Sequence, residues 1–367
     1  MVDETTLPIS RLQVELRRHD LRRMLRLVKL LYRLSGSEVY RQRVFPELPE
    51  TARFDPGHAS LMMGYDFHLG ETGPQLIEVN TNAGGWYLAW QSEAAAGGLY
   101  GRRLQERLLL SFRQEWQAFS GNNAALQRVA VVDEEPEGQG LYPEMVACCR
   151  WLKQMGIAAQ IAEPQHLEMA ANRVSLEGEP IDLIYNRHCD FYLETPETAG
   201  MRNAYLAGDV CLSPNPFAYG LLADKRRLIL WSDPEALKTL DLAESEQQLL
   251  LQMVPRCHLL RQYDPEDVWD QRKDLIFKPV NRFGGRGVLM GKSISRKRFS
   301  ELDPEYTLVQ EVVNPSVVSA ADGQEFKTDL RLFVYRDRLL GVTARLYQGQ
   351  VTNLRTEGGG FAPVRLV

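Results

Sequence analysis

Residues 11–33 place Val14, Leu21, Leu25, Val28 and Tyr32 at helical spacing, which predicts a helix. Its other face holds eight basic residues, from Arg11 to Arg33, against Glu15 and Asp20. Such a face suits a membrane surface or a docking helix with a solvated side. Nothing else in the chain suggests lipid, so docking is favoured. In 59–85, MMGYDFHL and PQLIEVN each read as a short strand, and GETG between them is turn chemistry. A hairpin is therefore predicted, followed by helix over 86–119 and a linker at SGNNAAL. From 127 to 220 strand and helix alternate. QRVAVVDEE, AAQIAEP, IDLIYNR and DVCLSPNP read as strands, and YPEMVACCRWLKQMG as an amphipathic helix stopped by Gly156. That alternation implies a small parallel α/β domain. Residues 221–270 read as mainly helical and charged. Strands return at DLIFKPVNRFGGRGVLMG, TLVQEVV and TDLRLFVYRDRLLGVTARLYQGQVTNL, the last an antiparallel run turning at RDR. There is no internal repeat.

Composition narrows this picture. At roughly 100–200 residues per domain, 367 residues suggest two or three domains. Hydrophobic residues at 44% and charged ones at 25% are ordinary globular usage, which excludes disorder, collagen and coiled coil. Lys plus Arg number 43 against 48 Asp plus Glu, a net charge of −5, which disfavours general nucleic-acid binding. No run approaches ~20 uninterrupted apolar residues, and MVDETTLPIS lacks a signal-peptide pattern. The five cysteines (Cys148, Cys149, Cys189, Cys211, Cys257) show no CxxC spacing, so neither a disulfide framework nor a zinc site is expected. The expectation is a cytoplasmic protein with no membrane or nucleic-acid partner; oligomeric state is open.

Three segments carry candidate chemistry. In KPVNRFGGRGV a strand delivers Lys278, and Gly284, Gly285 and Gly287 follow. Glycines let backbone N–H groups approach an anion, and lysine adds a point charge, so this is phosphate chemistry or a glycine-rich hairpin turn. It is not the GxxxxGK[ST] pattern, and no GxGxxG follows the strand at 127, so a Walker-type or dinucleotide site is not supported. Glu78 and Asn80 share one face of a strand, and Asp66 on the preceding strand can face the same spot. Two carboxylates and an amide oxygen suit Mg²⁺; a polar surface hairpin is the alternative. Third, Arg331 and Arg345 fall on strands, with Asn353 and Arg355 at a strand end before Gly358–Gly360. Arginines suit oxyanions; each could be a surface strand charge, and their number near glycine-rich backbone mildly favours a polyanion pocket. Cys148 and Cys149 read as core. His68 shares a face with Asp66 and is a candidate ligand. Arg187 and His188 follow a strand end where α/β sheets build sites, and Arg187 is the candidate carboxylate contact. Trp86, Tyr87 and Trp90 line a pocket or pack.

Together these segments resemble the ATP-grasp enzymes. The resemblance implies that ADKRRLILW supplies a phosphate-binding Lys225, and that FKPVNRFGGRGV supplies Lys278 with the lid loop Gly284, Gly285 and Gly287. It implies an adenine hinge at LVQEVV, with Gln310, Glu311, Val312 and Val313. It implies Mg²⁺ on Asp66, Glu78 and Asn80, and a phosphate and substrate role for Asp329, Arg331, Arg345 and Asn353. Arg331 or Arg345 would stabilise an acyl-phosphate oxyanion, aided by backbone N–H at Gly84–Gly85. In the usual order the EVN-type segment closes the fold; here it comes near the N-terminus. The fold class expected is therefore α/β, an α+β circularly permuted ATP-grasp module with a small parallel pre-ATP-grasp domain. Bacterial proteins and relatives of glutathionylspermidine synthetase are permuted in this way. The implied domains are 1–120 with 316–367 completing the module, 121–220 the small α/β domain, and 221–315 the lid. The implied activity is ligation of a small-molecule carboxylate to an amine or thiol, using ATP and Mg²⁺. A small-molecule kinase, or a catalytically silent nucleotide-binding regulator, is the alternative.

Overall fold

The computed structural model describes residues 8–97, 100–170, 173–282, 285–353 and 356–367. Gly284 and Arg355 lie outside these described residues. The chain opens with β1 (Val14–Leu16), α1 (Arg18–Ser35), β2 (Met63–Gly70), β3 (Gly73–Asn80), α2 (Trp86–Ala95) and α3 (Tyr100–Ser120). The next stretch holds β4 (Arg128–Val132), α4 (Tyr142–Gln154), β5 (Ala158–Ala162), β6 (Leu183–Asn186) and β7 (Cys211–Ser213). Then come α5 (Arg226–Ser232), β8 (Cys257–Leu259), β9 (Leu275–Pro279), β10 (Leu289–Met290) and β11 (Thr307–Glu311). The chain ends with β12 (Ser316–Ser319), β13 (Glu325–Tyr335), β14 (Arg338–Tyr347), β15 (Gly360–Ala362) and β16 (Val364–Leu366). Further helices lie between these, as does a three-stranded meander within 167–180 that the sequence pattern does not announce.

The central sheet joins the two ends of the chain. Its order is β15-β14-β13-β2-β3, with β12 paired to β13, and every pairing is antiparallel. Period-two alternation sorts its residues. Tyr65, Phe67, Leu330, Leu332, Ala344 and Leu346 belong to one buried cluster with Leu27, Val28 and Leu31 of α1. The alternate residues Asp66, Asp329, Arg331 and Arg345 therefore face away from α1. A second antiparallel sheet, β8-β11-β9-β10, has its own small core of Phe277, Phe299, Val309 and neighbours. A third, β7-β6-β4-β5, is parallel throughout, with α4 packed on it through Cys148, Cys149 and Leu152.

The predicted N-terminal helix is shorter at its start than the pattern suggests. Val14–Leu16 forms a strand in parallel register with Val364–Leu366 instead. Burial alternates along it, with Glu15 exposed between Val14 and Leu16. The predicted helix over 86–119 is two helices, with Gly97 at φ +70° after the first. The final predicted strand stops at Tyr347, and Asn353 lies in the loop beyond it. Among the described residues no helix is long and apolar enough to cross a membrane.

Candidate active site

Sheet register assembles a row of charges. Asp66 stands opposite Glu78 on one side and Arg331 on the other, and Asp329 stands opposite Arg345. Asp66 is 1% exposed. Arg331 donates to both of its oxygens, Nε to Oδ1 and Nη2 to Oδ2, each at 2.6 Å. Arg345 Nη2 donates to Asp66 Oδ2 at 2.8 Å and to Asp329 Oδ2 at 2.5 Å. Thr352 adds a hydroxyl donor to Asp329 at 3.0 Å. Burial by itself would raise the Asp66 pKa; the two arginines reverse this and hold it well below the usual carboxylate range. Burial works against the charge on Arg345, but Asp329 and Asp66 outweigh it and its pKa is raised.

Glu78 and Asn80 extend the row. Asn80 Nδ2 lies 3.2 Å from Glu78 Oε1 and 3.3 Å from Asp66 Oδ2, so the three side chains converge. Among the described residues Glu78 makes no ion pair, unlike Asp66. The register shifts after Asp66, leaving Ile77 as an extra residue in β3. Its carbonyl accepts from Lys278 Nζ at 3.2 Å. Lys278 also donates to Gln310 Oε1 at 2.5 Å, and burial pulls its pKa down. Lys225 precedes α5 and donates to the Arg282 carbonyl at 2.5 Å, which ties it to the loop after β9. Its pKa is also lowered by burial. One cavity is lined by Glu78, Asn80, Lys225, Lys278 and Gly285, with a wall of Tyr219 stacked on Phe191 at 4.3 Å. Gly285 (φ +71°) and Gly287 (φ +76°) take left-handed backbone that other residues adopt only with strain. Carboxylates and an amide oxygen are ligands for a hard cation that keeps several waters and shares substrate phosphates; here Asp66 is held by Arg331 and Arg345 and Asn80 turns its Nδ2 inward, so Glu78 is the carboxylate placed to receive one. Among the described residues there is no cage of three His, Cys, Asp or Glu.

The loop after β3 is clamped by the parallel domain. Glu144 of α4 is buried, and its two oxygens accept from Gly85 N at 2.9 Å and Tyr87 N at 3.0 Å. Burial raises its pKa. Arg187, just past β6, donates through Nη1 to the carbonyls of Asn82 at 2.9 Å and Ala83 at 3.3 Å. Asn82 returns its amide to the carbonyls of Arg187 and His188, each at 3.2 Å. Gly85 sits at φ +94°, and a Cβ there would collide with the Phe361 ring. These contacts correct two expectations. The Gly85 N–H engages Glu144, and Gly84 presents its carbonyl to Arg331 Nη1 at 2.9 Å, so this turn is not a ready oxyanion hole. Arg187 positions backbone instead of awaiting a carboxylate.

Other expected residues fall elsewhere. His68 is turned by its Nδ1, which donates to the Val313 carbonyl at 2.8 Å. Its pKa is lowered, chiefly by burial. His188 Nδ1 accepts from Asp190 N at 3.0 Å. Gln310 points at Lys278, while Glu311 is exposed at the end of β11. Asn353 builds its own loop: Nδ2 donates to Gln348 O at 2.9 Å, and Oδ1 accepts from Thr356 at 3.0 Å. Trp86 is buried against Trp151, whereas Tyr87 and Trp90 are half-buried and packed on each other. Sequence reasoning misses Glu144 and Asn82 altogether. Glu144 sits on a helix whose apolar pattern gives no sign that a carboxylate there would meet two amides of a distant loop.

No family model matches the chain. An uncharacterised protein of Mycobacterium leprae is 29% identical over 207 residues, 50% of this chain and 35% of that protein. One from Synechocystis is 27% identical over 239 residues, 57% of this chain and 47% of that protein. The chain thus spans less than two thirds of the length of the curated relatives it matches. Among solved structures, a glutathione synthetase-like effector of Globodera pallida has TM-score 0.61 at 12% identity, covering 98% of this chain and 90% of that one. A gamma-glutamylcysteine synthetase-like protein of Methylobacillus flagellatus has TM-score 0.51 at 12% identity, covering 91% and 84%. The chain shares the mixed α/β fold of these two solved structures.

Proposed function

We propose that the chain is an ATP-dependent ligase joining a small-molecule carboxylate to an amine or thiol through an acyl phosphate. The observation that carries this reading is the convergence of Lys225, Lys278, Glu78 and Asn80 on one cavity beside the glycine loop. Two lysines whose ammonium groups are partly stripped of water, facing a carboxylate and an amide, are an arrangement for a polyphosphate and its cation. In this reading 221–315 is the lid, 121–220 the pre-ATP-grasp domain, and 1–120 with 316–367 the permuted remainder of the module. The single sheet shared by β2, β3, β13 and β14 supports it. The fold shared with a glutathione synthetase-like effector and a gamma-glutamylcysteine synthetase-like protein is in keeping with ligation.

Lys225 and Lys278 would hold phosphate oxygens. Glu78, Asn80 and Asp66 would hold Mg²⁺, which when bound neutralises charge between the β- and γ-phosphates. Arg331 and Arg345, which now hold Asp66, would turn from it toward a developing oxyanion. The carboxylate attacks the γ-phosphorus and ADP leaves. The amine or thiol then adds to the acyl carbon and phosphate departs with the oxygen it gained. The work is positioning and electrostatics, and no protein nucleophile is required.

The test is a panel of amino acids and polyamines with ATP and Mg²⁺. ADP and phosphate are the expected products. A substrate labelled with ¹⁸O in its carboxylate should pass one labelled atom to the released phosphate. AMP with pyrophosphate would overturn the mechanism. Phosphate left stably on the product would make the chain a kinase instead.

A further inference from the structure

The chain crosses from the lid sheet to the central sheet over Val313, Asn314 and Pro315. Before this crossing, Glu311 N donates to Arg256 O at 3.0 Å and Val312 N to Asp274 O at 2.9 Å, both lid contacts. After it, Ser316 opens β12, which pairs with β13 of the central sheet. Pro315 fixes its own φ, and Asn314, preceding a proline, is confined to extended backbone. Rotation between lid and body is therefore left to the peptide units around Val313. His68 acts on that unit. It lies on β2 of the central sheet, and its Nδ1–H donates to the Val313 carbonyl at 2.8 Å. Val313 is 9% exposed, and its Cγ1 lies against β2, 3.4 Å from where a Cβ on Gly70 would stand.

We propose that His68 is a positioning residue of the nucleotide site, a latch from the central sheet that fixes the Val313 carbonyl and so sets the pose of the hinge 312–315, which leaves β11 next to Gln310, the acceptor for the cavity lysine Lys278. This rests on the reading of the chain as an ATP-dependent enzyme. An imidazole does this with little rotational freedom, since only two side-chain torsions must be fixed. A pre-set hinge spares a nucleotide the ordering of that segment on binding. Of the groups assigned to phosphate, Asp66 shares β2 with His68 and Lys278 donates to Gln310 at 2.5 Å, so the latch is read through backbone exchange and analogue affinity and not through rate.

Three variants of the full chain test this. In His68→Asn the amide Nδ2 occupies the place of the imidazole Nδ1 and keeps the bond. In His68→Gln the amide reaches the place of Nε2 and loses it, and in His68→Ala no donor remains. The first readout is amide hydrogen exchange over 311–317 in nucleotide-free protein. The second is calorimetric affinity for a non-hydrolysable ATP analogue. His68→Ala and His68→Gln should exchange faster at the hinge and bind the analogue roughly five- to tenfold more weakly, the scale of one buried neutral hydrogen bond. His68→Asn should stay near wild type in both. Unchanged hinge exchange in His68→Ala overturns the latch, whatever the chain binds. Faster exchange with unchanged affinity overturns its role at the nucleotide site. Failure of wild-type protein to bind the analogue overturns the functional reading itself, while the exchange arm still decides whether the latch exists.

Discussion

Glu78→Gln is expected to abolish turnover while the fold is retained. The substitution keeps the size and hydrogen-bonding length of the side chain and removes one negative charge. Among the described residues that charge is the carboxylate in the row with no guanidinium bonded to it, since Asp66 answers to Arg331 and Arg345. A cation beside the cavity would depend on Glu78 more than on any other group there. Loss of one charge-stabilising contact of this kind typically costs on the order of 10²–10³ in rate. Stability should change little, because among the described residues Glu78 bonds only to Asn80, and a glutamine accepts that bond equally well. The measurements are kcat at saturating Mg²⁺ and the thermal midpoint of both proteins. An unaltered rate would mean that the segment is a structural hairpin.

What could be read from the sequence and what could not divides along contact range. The hairpin β2–β3 is legible because alternation and a GETG turn are local signals, and period two puts Glu78 beside Asn80 without further help. The same logic does not reveal that Asp66 is bound by two arginines, because the register of β2 against β13 joins residues 265 apart in sequence. Val14–Leu16 misleads for the same reason. Its apolar spacing fits a helix, yet its partner strand is the last element of the chain, and pairing overrides the local preference. The glycine-rich loop after β9 is legible in composition, but the bond from Lys225 to the Arg282 carbonyl is not. Arg187 is legible as special and misread in role. A guanidinium at a strand end serves an incoming carboxylate or a neighbouring loop equally well, and only the fold brings Asn82 and Ala83 within its reach.

Asp66→Asn is expected to cost more stability than any substitution at the cavity. The wild-type carboxylate is the shared counter-ion of Arg331 and Arg345, and both its oxygens are engaged. An asparagine keeps one acceptor, adds an N–H that faces a guanidinium, and leaves two buried cations with only Asp329 between them. Breaking a buried ion pair by removing one partner costs about 3–5 kcal/mol, a fall in melting temperature of roughly 4–7 °C for a chain of this length. The pH dependence distinguishes charge from shape. Burial opposes ionisation of Asp66, but the arginines hold its folded pKa below the unfolded value. Its stabilisation is then complete above the unfolded carboxylate pKa of about 4 and is lost as pH falls through the lower folded value. The gap between wild type and Asp66→Asn should therefore stay constant from pH 7 to about 5 and narrow only in stronger acid. Denaturant midpoints of both proteins across that range check it. A gap that widens as the pH falls would mean that Asp66 is held by shape and not by its arginines. Equal stability at pH 7 would show that the arginines find other anions, and the charged row would then not be one compensated unit.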